Sequence, residues 1–295
     1  MPDAPNLHEI LREVAIRAVD GECNLLPAIA STYRTVGWSP PEAAQEAENR
    51  LTSVARGIDE HVRTFPGRRL REYYKRTSAR RAGPVSGAGV FRWTPYVRDR
   101  LGQLQPREFE WLVGNLLAAG ELHQVFVTRA SNDAGIDFVG KKELEDQSRP
   151  DPEAVTGPSL FTDQRIFAFG QVKRYGLRHP VGAPDFTALT GAITMLKNGG
   201  GTQVMDWMLA ELQGWGWHVA DPIMLCFATS GVYADTIPGL ARQQRISVLD
   251  GEQLAQRVLQ LKMTASTRDE VDALISVLSK PQSSDVVVKL PTGVN

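Results

Sequence analysis

Residues 166–173 have the sequence Ile-Phe-Ala-Phe-Gly-Gln-Val-Lys, an apolar run that ends in polar side chains. In a β-strand, alternate side chains point to the same face. The odd-numbered residues should therefore share one face, namely Phe167, Phe169, Gln171 and Lys173. The segment predicts a strand whose end presents Gln171 and Lys173 on the same side of a sheet.

A carboxylate precedes this strand in the sequence. Asp137 lies between Ile136 and Phe138, so we expect its side chain to leave the sheet on the side opposite these hydrophobic residues. Gly135 allows a backbone or a ligand to approach closely. Metal-assisted hydrolysis of a phosphodiester needs oxygen ligands for a hard cation and a positive charge near the attacking water. Asp137, Gln171 and Lys173 supply these groups.

Helices and short apolar strands alternate along this part of the chain. The segment Pro106–Gly120 predicts an amphipathic helix packed on a sheet. The pattern as a whole predicts an α/β sandwich with a mixed central sheet. Strands are predicted at Val125–Thr128, Ile136–Val139, Ile166–Lys173, Ile223–Ala228 and Ile246–Leu249, and helices at Pro184–Leu196, Asp235–Gln243 and Glu252–Leu261.

Two stretches interrupt this alternation. The polar run Lys141–Asp163 contains three prolines and predicts a long surface loop, either functional or a disordered insertion. The segment Met205–Val219 predicts an added helix. Its tryptophans are interpreted as packing anchors, with base stacking as the alternative.

A further acidic candidate lies on the first predicted helix. Glu110 falls at the edge of the apolar stripe, whereas Glu108 is about 160° away from that stripe around the helix axis. Glu110 is therefore placed to lean over the sheet. The alternative is an ordinary carboxylate at the margin of the helix, with no role as a ligand.

Composition indicates an ordinary globular protein. The chain has 295 residues, enough for two domains, and 42% of them are hydrophobic. No apolar run is long enough to span a membrane and the first residues lack the pattern of a signal peptide, so we expect a cytoplasmic protein. The two cysteines, Cys23 and Cys226, lack the spacing of a zinc site.

The N-terminal segment has a helical pattern. Helices are predicted near His8–Val19, Pro41–Val62 and Leu70–Thr77, before a Gly- and Pro-rich break at 81–89. The following Val90–Thr94 is a candidate for the second strand of a small hairpin. The region therefore predicts either a winged helix-turn-helix or a linker.

A basic block crosses this region. Eight cations and one acid, Glu72, lie between Arg63 and Arg81, although the net charge of the chain is −1. Such a block favours phosphate contacts with DNA. The candidates for those contacts are Arg68, Arg69, Lys75 and Arg76. The alternatives are a solvated helix face or a docking surface for an acidic partner.

The motifs follow one another in a familiar order. They are Gln105-Pro-Arg-Glu-Phe-Glu110, Asn132-Asp-Ala-Gly-Ile-Asp137, Gln171-Val-Lys173, Asp185-Phe-Thr-Ala-Leu, Ala228-Thr-Ser-Gly231 and Leu249-Asp-Gly-Glu-Gln-Leu254. The series resembles the Mrr-like type IV restriction endonucleases, the QxK variant of the PD-(D/E)XK nucleases. The resemblance covers about residues 104–261, and Ala134 and the amide of Gln171 depart from the commoner family pattern.

The resemblance implies roles for individual residues. Asp137, Gln171, Glu110 and the carbonyl of Val172 would bind Mg²⁺ or Mn²⁺, and Lys173 would be the catalytic lysine. Arg174 and Arg178 lie beside it and are candidates for contacts with phosphate. His123 and His179 are not needed by such a mechanism.

These observations predict a DNA endonuclease in restriction of foreign or modified DNA. The predicted domains are a helical, basic domain at 1–95, the catalytic domain at 96–264, and a C-terminal helix and tail at 265–295. The alternatives are a repair or recombination nuclease on branched DNA and a non-catalytic DNA-binding subunit. Cleavage of both strands needs two active sites, so we expect a homodimer or higher oligomer, with an ATPase or helicase as a candidate partner.

Overall fold

The computed structural model describes residues 3–59, 74–76, 84–87, 89–120, 122–128, 135–143, 165–175, 180–198 and 203–281. The chain divides into two units. The N-terminal unit comprises Met1–Gln103 and Gly251–Ile275, and the sheet unit comprises Leu104–Asp250 and Ser276–Asn295. Within the described ranges, no helix has the length and apolar character needed to cross a membrane.

A five-stranded mixed sheet is the framework of the sheet unit. Its strands follow the order β3 (Gln124–Val127), β4 (Phe138–Glu143), β5 (Arg165–Lys173), β6 (Ile223–Thr229) and β7 (Ile246–Leu249). The pairs β3–β4 and β4–β5 are antiparallel, whereas β5–β6 and β6–β7 are parallel. The predicted α/β class with a mixed central sheet is confirmed.

Helices cover both faces of this sheet. One face carries Val125 and Val127 and packs against α5 (Pro106–Gly120), where a Cβ on Gly114 would lie 2.8 Å from Val127 Cγ2. The other face carries Phe167 and Phe169. It shares a buried core with α6 (Ala183–Lys197), α7 (Gln203–Gly214) and α8 (Ile237–Gln244). Each parallel strand pair is thus joined by helical crossovers, as this topology requires.

The N-terminal unit is mainly helical, as predicted. It consists of α1 (Leu7–Arg17), α2 (Leu25–Thr35), α3 (Pro40–Asp59), α4 (Thr94–Gln103), α9 (Gly251–Gln260) and α10 (Arg268–Leu278) as far as Ile275. The side chain of Asn6 accepts from the backbone N–H of Glu9, and Glu9 accepts in return from that of Asn6. This capping box fixes the start of α1. The helices α2 and α4 were not predicted from the sequence.

The small hairpin of this unit uses other residues than those predicted. Tyr74–Arg76 forms β1 and pairs antiparallel with Val85–Gly87, which forms β2. The predicted helix over Leu70–Thr77 is therefore wrong at 74–76. The predicted strand at Val90–Thr94 is also wrong, because Val90–Trp93 forms a short 3₁₀ helix that leads into α4. Pairing between these two strands overrides the local helical pattern here.

Two further boundaries differ from the sequence prediction. The first residues of the predicted loop at Lys141–Asp163 belong to β4, where Lys141 pairs with Phe167 and Glu143 pairs with Arg165. Residues 144–164 lie outside the described residues. The helix α9 was predicted in the catalytic domain at 96–264, whereas it packs against α4 and belongs to the N-terminal unit. Its apolar stripe identifies a helix but not the partner that the stripe contacts.

The contact between β4 and β5 leads to a stability prediction. A Cβ on Gly170 would lie 2.0 Å from ring atoms of Phe138. We expect Gly170→Ala to lower the free energy of unfolding by about 1–3 kcal/mol, the usual cost of overpacking a core. The control is Gly191→Ala in α6, where a Cβ meets nothing within 4 Å and a helical alanine is favourable. Urea unfolding checks both variants, and equal effects would contradict the packing argument.

Candidate active site

The end of β5 presents the two polar residues that its sequence predicted. Phe167 and Phe169 are fully buried on the face covered by α6, and Gln171 continues that row with 2% of its surface exposed. Lys173 is the last residue of the strand and is partly exposed. Lys173 makes no ion pair and no side-chain hydrogen bond within the described ranges. The ammonium group of Lys173 is therefore available at the end of the central strand.

Asp137 lies in the bend that leads into β4, and three backbone groups hold it there. Its N–H donates to the carbonyl of Gly170 at 2.8 Å, and its own carbonyl accepts from the N–H of Thr128 at 2.9 Å. Its carboxylate Oδ2 accepts from the N–H of Val172 at 2.5 Å. The Thr128 hydroxyl also donates to the carbonyl of Ile136 at 2.7 Å. Asp137 is thus fixed directly beside the strand that carries Gln171.

A glycine makes this bend possible. Gly135 has a φ of +88°, a conformation that side chains disfavour. A Cβ at this position would lie 3.2 Å from Gln171 Nε2 and 3.7 Å from the Cβ of Ala188 in α6. The expected close approach at Gly135 is therefore present, and its neighbour is the Gln171 amide. A larger residue here would displace that amide.

The predicted alternation around Asp137 is wrong in one respect. Phe138 packs on Gly170, on one face of the sheet. Ile136 instead belongs to the buried core with Phe167 and Phe169, on the other face. Regular alternation fails because residues 135–137 form a bend and the strand begins only at Phe138. The Asp137 side chain nevertheless contacts β5, because its carboxylate accepts from the backbone N–H of Val172.

The donor atoms at this site fit a hard divalent cation. Gln171 Oε1 is buried and has no hydrogen-bond partner among the described residues, an arrangement that typically costs about 1–3 kcal/mol. A cation held between this oxygen and the Asp137 carboxylate would satisfy it. In the described part of the chain, no three His, Cys, Asp or Glu side chains form a group that could hold a metal ion. The fitting set is therefore one carboxylate and one amide oxygen, a set that Mg²⁺ commonly completes with water and phosphate.

Glu110 lies on the other side of the sheet from Gln171. The face under α5 continues from Val127 to Phe138 and then to Gly170, which are paired across the strands. The Glu110 carboxylate accepts from Arg107 Nη1 at 2.7 Å, three residues earlier in the helix. The contacts of the described residues do not bring Glu110 to Asp137. Its role as a ligand, and that of the Val172 carbonyl, stay predictions.

The predicted DNA contacts are described only in part. Arg174 follows β5 and is exposed. Arg68, Arg69 and Arg178 lie outside the described residues, as do the side chains of Lys75 and Arg76 in β1. His123 has a structural role, because its Nδ1 accepts from the N–H of Glu143 at 3.0 Å. His179 lies outside the described residues.

A comparison with known protein families matches the segment that contains these residues. A family model described as restriction endonuclease, Mrr_cat, matches residues 101–205, which include Asp137, Gln171 and Lys173. Over this segment the chain is similar to restriction endonuclease domains. No curated protein sequence matches the chain significantly.

Two solved structures share a limited similarity with the chain. One is the MspJI restriction endonuclease in complex with a 27-mer oligonucleotide, with a TM-score of 0.41, 14% identity, and coverage of 63% of this chain and 35% of that chain. The other is the DNA modification-dependent restriction endonuclease AspBHI, with a TM-score of 0.40, 14% identity, and coverage of 63% and 38%. The chain thus spans little more than a third of the length of these two proteins.

A set of hydrogen bonds holds the end of β5 beside the candidate site. The N–H of Ser230 donates to the carbonyl of Lys173 at 3.3 Å, and its hydroxyl donates to the carbonyl of Tyr175 at 3.0 Å. The Tyr175 hydroxyl donates to Asp185 Oδ1 at 3.1 Å, and Asp185 Oδ2 accepts from the N–H of Gly182 at the start of α6. Burial and, secondly, the bond to Asp185 raise the pKa of Tyr175, so its hydroxyl stays a donor.

The sequence analysis gave Ser230, Tyr175 and Asp185 no role. A signal was present, since Asp185 and Ser230 lie in two of the motifs that carried the family resemblance. Their contribution depends on distances between β5, β6 and α6, and sequence spacing does not give those distances. Ser230 lies outside the matched residues 101–205, so the support of the endonuclease site extends beyond them.

The two hydrogen bonds from Ser230 to the carbonyls of Lys173 and Tyr175, called the Ser230 clamp, lead to a prediction for Ser230→Ala. The change removes a buried donor and leaves the Tyr175 carbonyl without it, which should lower stability by about 1–3 kcal/mol. It should also reduce kcat for DNA cleavage, with little change in DNA affinity, because the backbone of Lys173 is held less firmly. Ser53→Ala is the control, since Ser53 also donates to a backbone carbonyl, at 2.8 Å, but in α3. An equal loss of kcat in both variants would rule out a local effect.

Proposed function

We propose that the chain is a metal-dependent DNA endonuclease that acts in restriction of foreign or modified DNA. The observation that carries this proposal is the juxtaposition of Asp137 with Gln171, which lies two residues before Lys173 and whose buried Oε1 lacks a partner among the described residues. The match of this segment to the restriction endonuclease model supports it. Fold alone would not, since one fold serves many functions.

Asp137 and the Gln171 amide oxygen would hold Mg²⁺ or Mn²⁺, with the Val172 carbonyl and Glu110 as further candidate ligands. The ion, when bound, supplies Lewis-acid polarisation of the scissile phosphate and a more acidic bound water. The bond from the Val172 N–H orients the Asp137 carboxylate. Burial of Asp137 and Gln171 excludes bulk water, so charges act more strongly on the phosphate there than in solvent.

Lys173 has a separate role in this proposal. Its ammonium group carries no ion pair within the described ranges, and the clamp by Ser230 fixes its backbone. A fixed cation at this point orients the attacking water and offsets the negative charge that develops on the phosphate in the transition state. The reaction breaks the phosphodiester bond by in-line attack of water, without a covalent enzyme intermediate. Two copies of the chain would be needed to cut both strands.

The first test separates chemistry from DNA binding. Asp137→Ala removes the carboxylate ligand, and Lys173→Ala removes the charge beside the phosphate, so each should reduce the cleavage rate by a factor on the order of 10²–10³ or more. The control is Lys142→Ala, which removes an exposed strand lysine of β4. DNA affinity measured in EDTA should survive all three changes. Wild-type cleavage by Lys173→Ala would refute the proposed site.

The same assay distinguishes the classes of substrate. Wild-type protein is compared on methylated, unmodified and branched DNA with the metal present. Preference for methylated DNA supports restriction of modified DNA, whereas preference for branched DNA supports a repair or recombination nuclease. Binding without cleavage of any substrate would favour a non-catalytic subunit.

Gln171→Glu tests whether this side chain is a ligand. The change places a second carboxylate beside Asp137 and should tighten Mg²⁺ binding several-fold, whether or not turnover improves. Without metal the two carboxylates repel, so one of them should have a raised pKa. Isothermal titration with Mg²⁺ measures the affinity, with Gln103→Glu in α4 as a control at an exposed position. Unchanged affinity would place Gln171 outside the coordination shell.

A further inference from the structure

The N-terminal unit contains an open pocket of about 550 Å³ beside α2. Its lining includes Arg17 at the end of α1, residues from Glu22 to Arg34 along α2, and Arg268 at the start of α10. The volume lies in the range of ligand sites in proteins, but small-molecule sites are mostly lined by hydrophobic and aromatic side chains. The surface of this pocket is also more apolar than polar, but its described lining contains no aromatic side chain, and Pro27, Ala28, the Cys23 thiol and the carbons of the longer side chains supply the apolar part. Its charged groups are three arginines and Glu22, so the charge of the lining decides which ligand it suits.

The charge of this pocket is positive. Three arginines and one glutamate line it, and α2 itself contains no acidic residue. Burial raises the pKa of the Cys23 thiol, so it stays uncharged at neutral pH and adds no negative charge. Glu22 and Glu13, which pairs with Arg17, offset two of the three arginines, so an anion would meet one net positive charge.

The three arginines differ in how firmly they are held. Arg17 donates to the Ser31 hydroxyl at 2.9 Å and pairs with Glu13 at 3.0 Å, so its guanidinium is fixed at the rim. The Arg268 guanidinium lies 4.7 Å from the ring centroid of Tyr96. Arg34 is exposed and makes no hydrogen bond or ion pair within the described ranges. Neighbouring groups thus hold Arg17 and Arg268 in position, whereas Arg34 is available to bind an anion.

The shape of the pocket suits an extended anion better than a single ion. The helix α2 has 11 residues and is therefore about 16 Å long. Pocket residues occur along it from Asn24 at its start to Arg34 in its last turn. The phosphates of one DNA strand advance by about 3.4 Å along the duplex axis per nucleotide while they wind around it. The helix α2 is therefore long enough to lie beside more than one phosphate of a strand.

We propose that this pocket binds phosphates of one DNA strand through Arg17, Arg34 and Arg268. It is a site for backbone contacts, which position DNA without selecting its sequence. The proposal rests on the proposed function only in requiring that the chain binds DNA; it does not depend on the cleavage chemistry of Asp137 and Lys173. It also differs from the basic block at Arg63–Arg81, because none of these arginines belongs to that block.

The test measures DNA affinity of the full chain in EDTA over a range of salt concentrations, with a fluorescein-labelled duplex as the probe. Each phosphate contact contributes about 0.9 to the slope of log affinity against log salt. We expect Arg34→Gln combined with Arg268→Gln to lower that slope by about two, for duplexes of any sequence. Arg56→Gln is the control, since Arg56 is an exposed arginine of α3 that does not line the pocket.

A second variant guards against misfolding. Arg34→Glu alone reverses a charge on an exposed side chain, so it should leave thermal unfolding unchanged but weaken DNA binding more than Arg34→Gln does. An unchanged slope in the double variant, or an equal fall for Arg56→Gln, overturns the proposal. If the wild-type protein binds DNA but the double variant has the same slope of log affinity against log salt, the pocket proposal fails while the proposed nuclease function stands.

Discussion

The hydrogen bond from the Val172 N–H to the Asp137 carboxylate is the interaction on which the proposed site depends. The regular ladder between β4 and β5 ends at Phe138 and Gly170, and beyond that point a side chain takes the place of a backbone acceptor. This substitution fixes a carboxylate directly beside Gln171. It is possible because Gly135 adopts a positive φ and leaves room for the Gln171 amide. The bend, the bond and the amide therefore form one arrangement, and a change at any of them should affect the other two.

Burial of the Gln171 side-chain oxygen costs free energy of folding, because no described residue donates a hydrogen bond to it. Buried polar groups are nearly always hydrogen-bonded, and exceptions need a physical explanation. Here the surrounding core, including Phe169 and the helix α6, holds the side chain in place although Oε1 lacks a partner. A site that binds a cation benefits from such preorganisation, because the oxygen need not leave another partner first. Gln171 thus lowers the stability of the folded state but supplies an oxygen that suits the proposed binding of a metal ion.

The sequence predicted those parts of the site that depend on local periodicity. The shared face of Gln171 and Lys173 follows from strand alternation alone, and the apolar stripe of α5 follows from helical spacing. The opposite sides taken by Ile136 and Phe138 could not be predicted, because the bend at Asp137 depends on bonds to Thr128, Gly170 and Val172. The pairing of β1 with β2 likewise depends on contacts that the local sequence pattern does not show. The same holds for the packing of α9 on α4. Ser230 was quoted within a motif, but its clamp on Lys173 and Tyr175 exists only in three dimensions.

The position of Glu110 bears on how such a site would hold its ion. The structure puts this carboxylate on the helix that covers the Gly170 face and pairs it with Arg107. The strands therefore contribute one carboxylate and one amide oxygen, and an amide carries no net charge. Mg²⁺ in such a set relies on water and on substrate phosphate for its remaining ligands. The affinity of the ion should consequently rise when DNA is bound, and by linkage the ion should raise the affinity for DNA by the same factor.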